Sequence, residues 1–444
     1  MTPSAQWPGG IADALPETAE LDGGRLAALG GLRIEALAEQ FGTPLWLLDR
    51  ATLLGRMRAY REAFSDASVV YAAKALCILG VLQLVDDEGL HLDCASGGEL
   101  ATAEAAGFPM ERVVLHGNNK SLAELRDAAR LGVGRIVVDS FAELRRLEQV
   151  AREARRTLDV QLRVTPGVDA HTHEFVATGH DDSKFGFTLS KGLAHRAAAQ
   201  AVGSEGVALR GVHCHVGSQV FALEAFTAAA EAMVGFVADV QDRHGVAVDE
   251  LNLGGGLGVV EDPGDQPPSV GRYAEVVREA VAGAAGRRGV AVPRLLVEPG
   301  RSIVGPAGVT VYRVGTIKDL PGLRTYLAVD GGLSDNPRYA LYGATHPFLP
   351  AGDRPADGDA RPVTVVGKHC ESGDVLGEGV WLPSGLGEDG LLAAAGTGAY
   401  HHSMASNYNR LGRPPVVLVG DGQATVLSRR ETAEDLLARE ASLR

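Results

Sequence analysis

Several short stretches carry groups whose types could do chemistry. They are the lysine of "YAAKA" (Lys74), the aspartate of "LDCAS" (Asp93), the histidines and serine of "HCHVGS" (His213, His215, Ser218), the glycines of "GGGLG" (254 to 258), the acid and base of "EPGR" (Glu298, Arg301) and the cysteine of "GKHCESGD" (Cys370). A desolvated lysine gives up its proton readily and becomes an amine nucleophile. Glycine-rich turns let bare backbone N–H groups approach the oxygens of a phosphate. Cys370, between a histidine and two acids, could be a metal ligand, a disulfide partner, a reactive thiol or a small buried residue. The other cysteines, Cys77, Cys94 and Cys214, form no C-x-x-C pair, so neither a zinc site nor a disulfide framework is signalled.

These groups need elements to hold them. From about residue 66 to 305, short β-branched runs alternate with longer amphipathic segments. Eight such runs occur: "SVVYA" (68 to 72), "GLHLD" (89 to 93), "RVVLH" (112 to 116), "RIVVD" (135 to 139), "DVQLRV" (159 to 164), "ALRGVHCHV" (208 to 216), "ELNLG" (250 to 254) and "RLLVE" (294 to 298). Segments such as "SLAELRDAARLG" between them open on small or capping residues, as helices do. Eight successive βα units over roughly 250 residues predict a (β/α)8 barrel; its expected span is 45–305. An open doubly wound sheet is the structural alternative, but eight regular repeats without a reversal favour closure. After "EPGRSIVGP" the chain turns to strand runs with Gly-rich turns and little helix, predicting a second, mostly antiparallel β domain over 306–444, joined by 1–44. The expected fold class is α/β plus β.

Barrel chemistry gathers where strands end and βα loops begin. Lys74 ends the first run and Asp93 the second, Arg163 lies on the fifth, His213 and His215 on the sixth, "GGGLG" opens after the seventh, and Glu298 ends the eighth. A lysine for a Schiff base, a carboxylate to keep a ring nitrogen protonated and a phosphate cradle are together what pyridoxal 5'-phosphate requires. Singly, each group has an inert reading as a solvated lysine, a turn glycine or a core histidine. Their joint placement at one barrel face points to the cofactor.

Composition narrows the partners. The 444 residues carry a formal charge of −14, which argues against nucleic acid, whose recognition rests on clustered Lys and Arg. No apolar run is long enough to span a bilayer, so no membrane partner is expected. The N-terminal stretch lacks the basic start and apolar block of a secretory signal, and a cytoplasmic location is expected. Small molecules are the expected partners.

In combination, the motifs "YAAKA", "LDCASGGEL", "HGNNKS", "RVTPGVDAHTHEFVATGHDDSKFGF", "HCHVGSQ", "NLGGGLG", "EPGRSIVG", "VDGGLSDNPRYALYGA", "KHCESGD" and "TGAYHHSMASNYN" resemble the barrel-type (fold type III) pyridoxal-phosphate decarboxylases, and within them the diaminopimelate branch. The match runs in order from roughly residue 40 to 420. The resemblance implies decarboxylation of meso-diaminopimelate to L-lysine, the last step of lysine biosynthesis; a relative acting on ornithine, arginine, glutamate or a carrier-tethered aminoacyl group is the alternative. It further implies that Lys74 forms the Schiff base, His215 stacks on the ring and Ser218 binds the phosphate. Gly255, Gly256, Gly300 and Arg301 would complete the phosphate cradle. Glu298 would pair with the ring nitrogen, and Asp93 would lie near the Lys74 end of the ring. Arg301, Arg338 and Tyr342 match substrate carboxylate positions, Glu371 matches the contact to the distal ammonium, and Tyr400 touches substrate and cofactor. Cys370 matches the proton donor, which in this family arrives from the partner subunit of a homodimer. "HH" at 401 and 402 reads as polarity at the rim, and no metal is expected.

Overall fold

Each of the eight apolar runs becomes a strand: β1 (Ser68–Ala72), β2 (His91–Cys94), β3 (Val113–Leu115), β4 (Arg135–Val138), β5 (Leu158–Thr165), β6 (Val207–His213), β7 (Glu250–Asn252) and β8 (Arg294–Val297). The computed structural model describes residues 11–167, 183–262, 264–354 and 356–443. All neighbours pair in parallel, β8 pairs with β1, and β4 pairs with β5, so the sheet closes on itself. Closure removes every free strand edge. A two-residue strand, Phe187–Thr188, adds to β5. The "HTHEFVATGHDD" stretch, at 171–182, lies outside the described residues.

Several strands stop before their apolar runs do. β6 stops at His213, so His215 stands in the loop that follows, and β3 stops one residue short of His116. The intervening helices carry their own start and stop signals. Leu122–Leu131 opens on a reciprocal capping box between Ser121 and Glu124 and ends at Gly132 in a left-handed conformation. Such a cap is worth about 1 kcal/mol.

The two-residue period of strands places the chemistry. Val70, Val114, Val137 and Leu296 form one buried cluster from β1, β3, β4 and β8. Two positions further along, on the same face, come Ala72, His116, Asp139 and Glu298, all buried. An apolar plug therefore lies directly beneath a polar layer at the C-terminal end of the strands.

The barrel's compact unit comprises Met57–Gly258 and Pro267–Ser302; a second unit comprises Met1–Arg56, Val259–Gln266 and Ile303–Arg444. Residue 45, the expected start of the barrel, lies instead in the second unit, because Leu45–Asp49 pairs with the long strand Gly308–Leu320. That strand also pairs antiparallel with Leu391–Ala395 and Arg324–Val329. The sheet is mostly antiparallel, with parallel pairings such as Val416–Gly420 beside Leu45–Asp49 and Arg324–Val329 beside Ala360–Val366. Two apolar cores support it, one around Leu47, Val309 and Val417 and the other around Tyr312, Val365 and Leu392. Among the described residues no helix is long and apolar enough to cross a membrane.

Candidate active site

At the floor of the barrel mouth, Glu298 is buried and receives three hydrogen bonds. Asn252 Nδ2 donates to Oε1 at 2.7 Å, His116 Nε2 to the same oxygen at 2.8 Å, and His213 Nε2 to Oε2 at 3.1 Å. A carboxylate offers about four acceptor positions, so Oε2 retains capacity for one more donor. Burial alone pushes this carboxyl upward, but His116 and His213 beside it hold it well below the usual range, and it stays ionised. His116, His213 and Glu298 are also, among the described residues, the one group of such side chains close enough to share a metal ion, with ligand atoms within 4.8 Å. The Asn252 amide donating into the same oxygen marks the cluster as a carboxylate ringed by donors.

A polar line continues from this floor down the barrel. Asn252 Nδ2 also reaches Gln161 Oε1 at 3.4 Å, Gln161 Nε2 donates to Glu250 Oε2 at 2.9 Å, and Arg135 grips Glu250 through Nε and Nη2 at 2.9 and 2.7 Å. Every member has a partner, as buried polar groups must.

Around the floor stand the other expected residues of the barrel. Lys74 lies on the 3-10 turn Ala73–Ala75 directly after β1. Asp93, on β2, is buried with Oδ1 3.8 Å from His116 Nε2; burial raises its carboxyl, while His116, Lys74 and Arg163 oppose that rise. His215 is held neutral, its pKa pushed well below the ordinary value by burial and then by the charges of Lys74 and Arg163. Arg301 donates from Nε and Nη2 to Ser218 Oγ at 3.3 and 3.1 Å. The glycine turn is crowded: a Cβ on Gly255 would lie 2.1 Å from Glu298 O, and one on Gly256, at φ +120°, would lie 2.3 Å from Gly217 O. Gly300 lies close over Ala72 and Ala75. A side-chain-free turn beside a hydroxyl and a guanidinium fits a phosphate, and the ionised Glu298 fits a protonated ring nitrogen, so these residues fit pyridoxal phosphate.

The second unit holds the remaining residues in two groups. Arg338 and Tyr342 open and close the short helix Arg338–Tyr342. The Arg338 guanidinium is buried, lies 5.7 Å from the Tyr342 ring and 5.8 Å from the Tyr400 ring, and pairs with Glu261 at 3.2 Å. The Glu371 carboxylate accepts the Tyr408 hydroxyl at 3.3 Å. Cys370 and Glu371 are exposed in the chain, and the Cys370 N–H is bound by Asn409 Oδ1 at 3.0 Å. Cys94 and Cys214 are buried and Cys77 half-buried; burial pushes the Cys77 and Cys214 thiols up to about 12. His401 is not at a rim: it is buried, with Nδ1 2.9 Å from Ala399 O and its ring edge-on to His346 at 4.8 Å.

Sequence reasoning assigned no role to His116, Asn252 or Glu261. His116 sat in plain view within "HGNNKS", and its register two residues beyond Val114 is the signal that could have found it. His213 also offers a test. Burial pushes it down to about 4 against the pull of Glu298, so between pH 6.5 and 4 the unfolded chain binds a proton that the native site refuses. Stability must therefore fall as pH falls through that window, by about 3 kcal/mol in all from this group. His213→Gln is expected to flatten the pH dependence of the urea midpoint there by about 1.4 kcal/mol per pH unit; an unaltered slope would contradict the buried, neutral imidazole.

Residues 50–305 match the family described as "Pyridoxal-dependent decarboxylase, pyridoxal binding domain". The chain is 51% identical over 415 residues to diaminopimelate decarboxylase of Actinosynnema pretiosum subsp. auranticum, covering 93% of this chain and 92% of that one. It is 46% identical over 413 residues to that of Bacillus subtilis, covering 92% and 94%. The crystal structure of the M. jannaschii diaminopimelate decarboxylase in co-complex with L-lysine superposes with a TM-score of 0.89 at 32% identity, covering 96% of this chain and 98% of that one. A closed parallel barrel with a lysine after its first strand, an ionised acid after its eighth, and likeness of this extent place the chain in the diaminopimelate decarboxylase family of pyridoxal-phosphate-dependent enzymes.

Proposed function

We propose that the protein converts meso-diaminopimelate to L-lysine and CO2. The observation that carries this reading is Glu298, a buried carboxylate kept ionised by three donors at the barrel mouth, where its charge would hold the proton of a ring nitrogen. Once bound, pyridoxal phosphate supplies an electron sink for the pair left on carbon as CO2 departs. The substrate is inferred from relatives named for it and from the L-lysine in the M. jannaschii complex.

The chain's own residues divide the work. Lys74, exposed in the chain, would hold the cofactor through its amine. Ser218, Arg301, Gly255, Gly256 and Gly300 would bind the phosphate. His215, being neutral, would lie against the ring face without opposing the charge at its nitrogen, and Asp93 would stand near the Lys74 end. Arg301, Arg338 and Tyr342 would bind substrate carboxylates, with Tyr400 touching both substrate and cofactor, and Glu371 would pair with the second ammonium. Cys370 would return one proton to carbon, its S–H serving as the general acid. We further propose a homodimer in which Cys370 and Glu371 serve the barrel of the other copy.

Purified enzyme assayed with meso-diaminopimelate, ornithine, arginine and glutamate is expected to release CO2 from the first alone, with L-lysine as co-product. Absence of L-lysine would overturn the proposal.

A further inference from the structure

The proposed roles leave one run unused, "SNYN" at 406–409, and two of its side chains, Tyr408 and Asn409, converge on "HCES" at 369–372. Asn409 sits at φ 51° and ψ 22°, a left-handed conformation that asparagine tolerates. From there Oδ1 accepts the Cys370 N–H at 3.0 Å and faces His369 Nδ1 at 3.3 Å. The backbone N–H can only donate, which fixes which end of the amide faces it. Tyr408 donates its hydroxyl to Glu371 Oε2 at 3.3 Å and sets its ring 5.5 Å from that of His369. The neighbouring Glu371 charge raises the Tyr408 phenol, as a carboxylate close to a hydroxyl must.

Both sides of this contact are anchored from behind. Asn407 Nδ2 donates to Leu411 O at 3.0 Å and to Glu431 Oε2 at 2.6 Å, and the Ser406 N–H donates to Ser334 O at 2.9 Å. On the other side, Asp374 accepts the N–H groups of Leu333 and His369 at 2.6 and 2.8 Å, and His369 Nε2 meets the Ser334 hydroxyl at 2.8 Å. The tripeptide 407–409 is therefore a fixed platform, and the two residues expected to deliver the proton and measure the substrate are tied to adjacent positions on it.

We propose that Asn409 and Tyr408 are positioning residues with separate duties: Asn409 aims the Cys370 thiol, and Tyr408 orients the Glu371 carboxylate that selects a substrate with a second ammonium. The proposal rests on the roles given above to Cys370 and Glu371. A thiol used only in proton return affects turnover, whereas a carboxylate that holds substrate equally before and during reaction affects KM. The two neighbours must then separate kinetically.

Asn409→Gly keeps the left-handed backbone and deletes the acceptor, while Asn409→Asp keeps both. In the holoenzyme, with bound cofactor absorbance confirming the fold, Asn409→Gly is expected to lower kcat about tenfold with KM within about twofold, and Asn409→Asp to recover most of the loss. Tyr408→Phe is expected to raise KM for meso-diaminopimelate about fivefold with kcat near that of the parent. Unchanged kcat in Asn409→Gly, equal loss in the Gly and Asp variants, or kcat and KM moving together in Tyr408→Phe would overturn it. Cys370→Ala and Glu371→Gln, measured alongside, distinguish the levels. If they leave kcat and KM intact, the underlying roles fail; if they do not, and the platform variants are silent, only the positioning roles fail.

Discussion

Lys74→Ala and Cys370→Ala chains, each inactive alone, are expected to regain activity when mixed. Cys370→Ala removes a general acid, a group typically worth about 10²–10⁴ in rate, and should keep the bound cofactor. Lys74→Ala removes the amine that fastens the cofactor, so turnover and the yellow absorbance of a lysine-bound pyridoxal should both go. Lys74 lies on the barrel and Cys370 in the other compact unit, so the two lesions can fall in different sites of one dimer. In a hybrid dimer with shared sites, one site would carry both lesions and the other neither. Random exchange of equal amounts makes half the dimers hybrids, giving about a quarter of the parent activity. No recovery after confirmed subunit exchange would mean that each chain completes its own site, and unchanged turnover in Cys370→Ala would assign the proton to another acid.

Glu298→Gln is expected to keep the fold and the cofactor and to lose about 10²–10³ in kcat, the scale of one removed electrostatic contact to developing charge. The substitution is nearly isosteric, and the surroundings can accommodate it. The amide oxygen can still accept from Asn252 and His116, and the amide nitrogen then faces His213 Nε2. His213, neutral because burial holds it near pKa 4, can move its hydrogen to Nδ1 and accept. The loss thus isolates charge from shape. A kcat within about twofold of the parent would mean that ionisation at this position is not used.

Much of the barrel was legible because strand periodicity is short-range: all eight runs are short and partly apolar, six of them carry β-branched residues, and amphipathic helices separate them. Lys74, Asp93, His215 and Glu298 were legible for the same reason, since a residue at a strand end needs only the strand to be found. The partners of Glu298 were not. His116 and Asn252 reach it from β3 and β7, 182 and 46 residues away in sequence, and no local pattern encodes a meeting across the lumen. Leu45–Asp49 misled for a different reason. All five of its residues are buried, so it shows no alternation that would separate a strand of the second unit from a barrel element. Glu261 lies in the brief excursion Val259–Gln266, where the chain leaves one unit for the other and returns, and nothing in composition marks that detour.

The polar line from Glu298 through Asn252 and Gln161 to Glu250 and Arg135 bears on how this chemistry could be moved to another scaffold. Loops at a barrel mouth are ordinarily treated as interchangeable parts grafted on an indifferent frame. Here the frame is not indifferent, because the acid at the mouth is oriented by an amide whose second contact leads down to an ion pair at the far opening. Copying the mouth loops onto a barrel with an aliphatic lumen would strand Glu298 without one of its three donors. A faithful transplant would have to carry the axle as well as the rim.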